Sequence, residues 1–205
     1  MSLTVNANTT TTFEPVPQGT HLAVCCMLVD LGDQINKTYN KLQRKVLIGW
    51  EIPDETYDDK GTQKPKMVFN RYTASLNDGS ALRRDLASWR GRDFTPEELA
   101  NFDLHNIVGK SCYVNIIHND YNGRLYANIS SIMALPKGTK GQQLAEPALV
   151  FDLDTASEDD IENLPEWIQK IVRGSVTYKN RKGEENQTIY STQFQEVEDD
   201  GDLPF

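Results

Sequence analysis

The sequence predicts a mainly β protein, a five-stranded Greek-key barrel with a short helical insert and a disordered acidic C-terminal tail. Three observations predict it. Apolar, β-branched runs alternate with turn residues through the first two thirds of the chain, one helical pattern interrupts them, and acidic residues are concentrated at the C-terminal end. With 205 residues, 38% of them hydrophobic, the chain is long enough for one domain with appendages.

Five strands are predicted from the spacing of apolar residues. They cover residues 21–31, 44–52, 67–76, 112–118 and 124–132. The first is expected to end in a turn at Gly32-Asp33, and Asn122-Gly123 favours a hairpin between the last two. The charged segment 54–66 lacks an apolar period, so we expect it to be a long loop facing the solvent.

Two short helices are predicted between the third and fourth strands. The first has a serine cap, an apolar face and a terminal glycine, at Ser80, Leu82, Leu86, Trp89 and Gly91. The second starts at Thr95-Pro96-Glu97-Glu98, which combines an N-cap, a first-turn proline and a capping-box glutamate. This element order is that of the OB-fold, a small barrel that commonly binds oligonucleotides.

The composition divides the chain into four parts. Residues 1–19 are expected to be a flexible lead-in, residues 20–140 the OB-fold domain, residues 141–194 an acidic and helical extension on or beside the barrel, and residues 195–205 a disordered acidic tail. Within the extension, one amphipathic helix is expected around Ile161 to Val172 and a weak hairpin at Lys182-Gly183.

The net charge of -9 is unevenly distributed. Residues 1–145 carry 16 Lys and Arg against 15 Asp and Glu, whereas residues 146–205 carry 5 against 15. The acidity therefore belongs to the C-terminal part, and the barrel remains compatible with a phosphate-containing ligand.

Several protein classes are not expected. The chain has no run of about 18 apolar residues and no signal-peptide pattern, so we predict a cytoplasmic protein without a membrane span. Cys25, Cys26 and Cys112 are expected to be reduced core residues. The three histidines are scattered, and neither a metal nor a cofactor is expected.

A resemblance to a known family is carried by five short segments: 50–53, 71–76, 86–92, 94–98 and the pair Gly109-Lys110. Together they resemble phage-encoded single-stranded-DNA-binding replication proteins, over residues 15–140. The turn at 89–92, Trp-Arg-Gly-Arg, is the most specific piece. The resemblance implies an OB-fold that binds and protects single-stranded DNA during phage replication or recombination, in the host cytoplasm and without enzymatic activity.

The end of the chain is similar to a second family. An acidic run followed by Asp202-Leu203-Pro204-Phe205 resembles the tip of bacterial single-stranded-DNA-binding proteins, with leucine where isoleucine is usual. In that family the terminal phenylalanine enters an apolar pocket of a partner. The resemblance implies recruitment of a polymerase, helicase or primase; a tail that only increases solubility is the simpler interpretation.

Grooves that bind single strands combine aromatic rings with Lys and Arg. Strand alternation places Tyr72, Tyr113 and Tyr126 on the faces of their strands that point away from the apolar residues. Trp50 lies on the same side of its strand as residues expected in the core. The candidates for base stacking are Tyr72, Tyr113, Tyr126, Tyr39 and Trp50. The candidates for phosphate contacts are Lys37, Lys41, Arg44, Lys45, Lys64, Lys66, Arg71, Arg90, Arg92 and Arg124.

Three competing functions are compatible with parts of the sequence. Val150-Phe151-Asp152-Leu153-Asp154-Thr155 resembles the nucleophile motif of haloacid-dehalogenase-type phosphatases, but its threonine falls one place early and no alternating β and α pattern surrounds it. A strand-annealing or recombination mediator protein would share the features of a single-strand binder, and an acidic adaptor would bind proteins in place of DNA. The sequence also leaves open a homodimer.

Overall fold

The structure is a computed structural model that describes residues 14–36 and 40–183. The protein is mainly β, as predicted. Its strands are β1 (Gly19–Asn36), β2 (Lys41–Asp59), β3 (Thr62–Thr73), β4 (Ser111–Tyr121), β5 (Arg124–Met133) and β6 (Leu149–Phe151). Its helices are α1 (Ala81–Arg90), α2 (Pro96–Ala100), α3 (Glu158–Glu162), α4 (Glu166–Arg173) and α5 (Val176–Arg181), with a 3-10 helix at Leu104–Ile107. None of these helices is long and apolar enough to cross a membrane.

The six strands form one open sheet. The main order is β3-β2-β1-β4-β5, and β6 pairs with β1. β4 is antiparallel to both β1 and β5, whereas β6 is parallel to β1 at Met27 to Val29. β6 lies in the run that resembles a phosphatase motif, and there it serves as a short strand of the sheet.

Two compact units are formed by the described residues. The first contains residues 14–29 and 46–151, and the second contains residues 30–36, 40–45 and 152–183. β1 and β2 each contribute one part to the first unit and another to the second. Lys37, Tyr39, residues 1–13 of the predicted lead-in and the tail at 195–205 lie outside the described residues.

The core of the first unit lies between one face of the sheet and α1. Alternate residues of β2 and β4 face this core, as do the apolar residues of α1: Val46, Ile48, Trp50, Ile52, Cys112, Val114, Ile116, Leu82, Leu86 and Trp89. The Trp50 and Trp89 ring centroids are 5.7 Å apart. The Trp89 indole N–H donates to the Ser111 carbonyl at 3.0 Å, which ties α1 to the start of β4.

The helical insert has the caps that the sequence predicts. The Ser80 hydroxyl accepts the Arg83 N–H, and Gly91 ends α1 in the left-handed conformation at φ 69°. Thr95 and Glu98 form a capping box at the start of α2. Because these caps satisfy backbone groups that a helix end leaves unpaired, local sequence is sufficient to place both helices.

In the second unit, the C-terminal end of β1 and the N-terminal end of β2 pack with helices α3, α4 and α5. Its buried residues include Leu31, Leu153, Ile161, Ile168 and Val172. The Thr177 hydroxyl accepts the Asp33 backbone N–H at 2.8 Å and donates to the Asp33 carboxylate at 2.9 Å. The amphipathic helix predicted around Ile161 to Val172 is therefore present, divided into α3 and α4.

Three local predictions were wrong. β1 continues through Gly32-Asp33, and the segment 54–66 is a hairpin in which β2 and β3 meet at Lys60 and Gly61. Both faces of this ribbon are largely polar, so it forms without an apolar period; the Thr56 hydroxyl donates to Gln63 across it. The chain before Lys182-Gly183 is helix α5, which Ser175 caps, and not a hairpin strand.

Gly32 gives a test of the packing in the second unit. A Cβ atom there would lie 2.7 Å from Leu153 Cδ2 and 2.9 Å from the Ser175 hydroxyl, whereas Gly79, with a similar positive φ, has no atom within 4 Å. Left-handed backbone costs a non-glycine residue about 1 kcal/mol at either site, and overpacking adds to this only at Gly32. We expect Gly32→Ala to lower the free energy of unfolding by about 2 kcal/mol more than Gly79→Ala, measured by urea denaturation. Equal losses would contradict the packing described.

Candidate nucleic-acid interface

The hairpin of β4 and β5 carries the candidate site. Asn122 and Gly123 form its turn with φ of 54° and 76°, which matches the type I′ turn that favours tight hairpins. The Asp120 carboxylate accepts the Gly123 N–H at 2.9 Å and fixes this turn. The predicted hairpin is therefore confirmed, and its strands are longer than expected.

One face of this hairpin is exposed and aromatic. Across the two strands, Tyr121 lies opposite Arg124, and Tyr126 lies opposite Asn119. The side chains of Tyr121 and Tyr126 are 70% and 43% exposed. The Arg124 guanidinium carbon lies 5.6 Å from the centroid of the Tyr126 ring, a cation-π distance that holds a positive charge beside the ring.

An open concavity of about 720 Å³ lies at this end of the hairpin. Its lining joins two rings to groups that can donate or accept hydrogen bonds: His118, Asn119, Asp120, Tyr121, Tyr126 and Asn128. Tyr113 lies farther along the same face, opposite Met133, and is half-buried. The face can therefore offer ring surfaces to bases and a guanidinium to a phosphate.

Two of the sequence-predicted stacking residues lie in the core. Trp50 is fully buried, and Tyr72 is 3% exposed with its hydroxyl donating to Asp85 at 2.9 Å. Tyr72 shares its side of β3 with Lys66 and Asn70, as predicted, but this side faces the core and not the solvent. Burial and the Asp85 carboxylate raise the pKa of the Tyr72 hydroxyl well above its ordinary value.

Most of the predicted phosphate-binding residues have acidic partners. Arg44 is paired with Asp30 and Asp154, Lys64 with Asp59 at 3.2 Å, and Arg90 and Arg92 share Glu98. Lys66 is 5% exposed, and Lys45 donates to the Gln43 side chain. The Arg90 guanidinium also lies 4.3 Å from the Phe94 ring centroid, which makes it part of the packing of the insert.

Arg71, Arg124 and Lys41 differ from these residues. All three are exposed, and no ion pair joins any of them to an acid within the described parts of the chain. Arg71 lies on the outward side of β3, Lys41 starts β2 in the second unit, and Arg124 lies beside the exposed tyrosines. The structure thus brings Tyr126 and Arg124 together and places Tyr113 farther along the same face, and the remaining candidates lie elsewhere.

Tyr121 is the residue that the sequence prediction missed. The fourth strand was expected to end at His118, but the alternation of Tyr113, Asn115, Ile117 and Asn119 continues to Tyr121. Extending this period by one step would have placed its ring on the same face.

The buried thiols and one cluster of carboxylates are two further groups of reactive side chains among the described residues. The three cysteines are free and buried, and burial raises the pKa of the Cys25 and Cys26 thiols to about 12, so they stay protonated. Carboxylate oxygens of Asp30, Asp152 and Asp154 lie within 4.8 Å of one another. The Arg44 guanidinium binds two of these acids and supplies their counter-charge.

No protein-family model matches the chain, and no curated protein matches it.

The different positions of the tyrosines predict different effects on stability. We expect Tyr72→Ala to lower the free energy of unfolding by about 3 kcal/mol, because it removes a buried ring, and Tyr72→Phe by about 1 kcal/mol, because it removes only the hydrogen bond to Asp85. Tyr121→Ala should change it by less than about 0.5 kcal/mol. Urea denaturation measures all three. A large loss for Tyr121→Ala would show that its ring is packed and inaccessible to a ligand.

Proposed function

We propose that this protein binds and protects single-stranded DNA, without strong sequence preference, during phage DNA replication or recombination. The observation that supports this most directly is the outward face of the β4–β5 hairpin, where Tyr121, Tyr126 and Arg124 lie side by side. Base stacking on exposed rings contributes about 1 to 3 kcal/mol per base and is tolerant of sequence. A guanidinium beside the rings supplies the phosphate contact that a neutral stacking surface lacks.

We further propose that the first unit is an OB-fold. Helices between β3 and β4 match the element order that the sequence predicts, and the sheet order β3-β2-β1-β4-β5 is compatible with an OB-fold. Cα atoms of the end strands β3 and β5 come within 8 Å of each other, which supports closure into a partly open barrel. In such a barrel the outward faces of the strands and their connecting loops are the usual places for an oligonucleotide.

The electrostatics favour modest affinity with a small salt dependence. At least five of the nine described candidates for phosphate contacts are held in ion pairs, which leaves few of these candidates to release counterions from a bound strand. Ring stacking then accounts for a large share of the binding free energy, and duplex DNA, whose bases are already stacked, should bind much more weakly.

The test is fluorescence anisotropy of labelled oligo-dT and of a duplex of equal length over a salt series. We expect the single strand to bind more tightly, and Tyr121→Ala and Tyr126→Ala each to weaken its binding about tenfold. Arg124→Gln should lower the slope of log affinity against log salt by about 0.7. Trp167→Ala is the matched control, since this ring in α4 is as exposed as that of Tyr126.

Two results would contradict the proposal. One is binding of the duplex as tightly as the single strand. The other is a loss of affinity for the single strand in Trp167→Ala as large as that in Tyr126→Ala, which would place the interface in the second unit.

We also propose that the acidic segment 195–205 recruits replication proteins through Leu203 and Phe205. Its five carboxylates and the apolar side chains of Leu203 and Phe205 suit a basic-rimmed apolar pocket on a partner.

Leu203→Ala combined with Phe205→Ala should abolish binding to the polymerase, helicase or primase of the same replication system, measured by surface plasmon resonance. The double variant should leave the affinity for oligo-dT unchanged. Wild-type affinity for all three enzymes in the double variant would remove the recruitment proposal.

A further inference from the structure

A second concave site lies in the first unit, apart from the tyrosines of the hairpin. It is a pocket of about 220 Å³, smaller than the roughly 300 to 1,000 Å³ typical of drug-sized ligands. Its walls are mainly apolar or aromatic, with charged side chains among them; the residues that matter here are Met27, Glu51, Tyr57, Lys64, Met67 and Leu149. A pocket of this size and character suits one small, flat, partly polar ring.

Glu51 gives this pocket its chemistry. It is 4% exposed, which is rare for an acid, and its Oε1 accepts the Ala145 N–H at 2.8 Å. Within the described parts of the chain this is the one hydrogen bond to its carboxylate, so Oε2 has no partner there. Burial raises the pKa of the Glu51 carboxyl. Oε2 is not one of the fully enclosed unpartnered atoms of the described residues, so it keeps accessible surface, and a ligand N–H group in the pocket can donate to it.

The pocket lies on the same face of the sheet as Tyr113. Ala23 and Cys25 of β1 face the core, so Leu22, Val24 and Cys26 face the other way. Leu22 is the cross-strand neighbour of Tyr113, and Cys26 lines the pocket. Cys26 follows Leu22 by four residues of an extended strand, which span about 13 Å. A few nucleotides can bridge this separation between Tyr113 and the pocket.

We propose that this pocket binds one nucleobase of the bound strand and that Glu51 Oε2 accepts a hydrogen bond from the exocyclic amino group of that base. The proposal rests on the proposed function and adds a modest base preference to it. Tyr57 and the thioethers of Met27 and Met67 supply contacts for the ring.

Cytosine and uracil separate this proposal from stacking alone, because the rings have the same size. Cytosine presents an amino donor at position 4, where uracil presents a carbonyl oxygen that a carboxylate repels. The ring N–H of uracil lies between two carbonyl oxygens. When this N–H points at the carboxylate, both oxygens face the carboxylate as well and are repelled by it. The wild-type protein should therefore bind oligo-dC about tenfold more tightly than oligo-dU of equal length at pH 8.

Glu51→Gln is the decisive variant. The side chain keeps its shape, and its amide oxygen can still accept the Ala145 N–H, which leaves an NH₂ donor toward the pocket. We expect the preference to reverse, with oligo-dU bound more tightly than oligo-dC. Glu146→Gln is the matched control: it removes the same charge from the same pocket, but Glu146 is exposed and holds no buried acceptor, so the wild-type preference should remain.

Anisotropy titrations of the three proteins against both oligonucleotides distinguish the outcomes. Reversal in Glu51→Gln alone supports the pocket. Equal binding of both oligonucleotides by the wild-type protein, or an unchanged preference in Glu51→Gln, overturns the pocket and leaves the proposed function standing. Failure of the wild-type protein to bind either oligonucleotide overturns both.

Discussion

Burial of one face of a continuous β-sheet is the constraint on which the rest of the structure depends. Because side chains alternate along a strand, packing Val114 and Ile116 against the core commits Tyr113, Asn115 and the residues that follow to the other face. The same constraint draws Tyr72 inward from β3. The distribution of rings between core and surface is thus a consequence of register, and a slip of one residue would exchange them.

Ion pairing is the second influence on the surface. Arginines that look like a basic cluster in the sequence are largely used to hold the insert, where Glu98 joins Arg90 and Arg92 and Phe94 packs under Arg90. The exposed Arg92 contributes little to stability through its pair, yet both pairs neutralise the charge that a phosphate would need. This leaves ring stacking as the larger part of the proposed interaction with DNA.

Local patterns in the sequence were sufficient for much of the fold. Caps such as Ser80 and the turn Asn122-Gly123 act within a few residues, so the insert and the last hairpin could be predicted. The ends of β1 to β3 could not, because the ribbon around Gly61 has no apolar period. Tertiary packing decides whether the side of β3 that carries Tyr72 faces the core or the solvent. β6 pairs with β1 beyond the residues that pair with β4, and no local pattern encodes this pairing.

The measurement that tests the central claim most directly is photocrosslinking of the protein to a 5-iododeoxyuridine oligonucleotide, followed by mapping of the crosslinked peptides by mass spectrometry. This chemistry favours aromatic side chains in contact with a base. We expect crosslinks at Tyr121 and Tyr126 and none at Tyr72 or Trp50. Crosslinks confined to the second unit, or at Tyr72, would contradict the proposed interface.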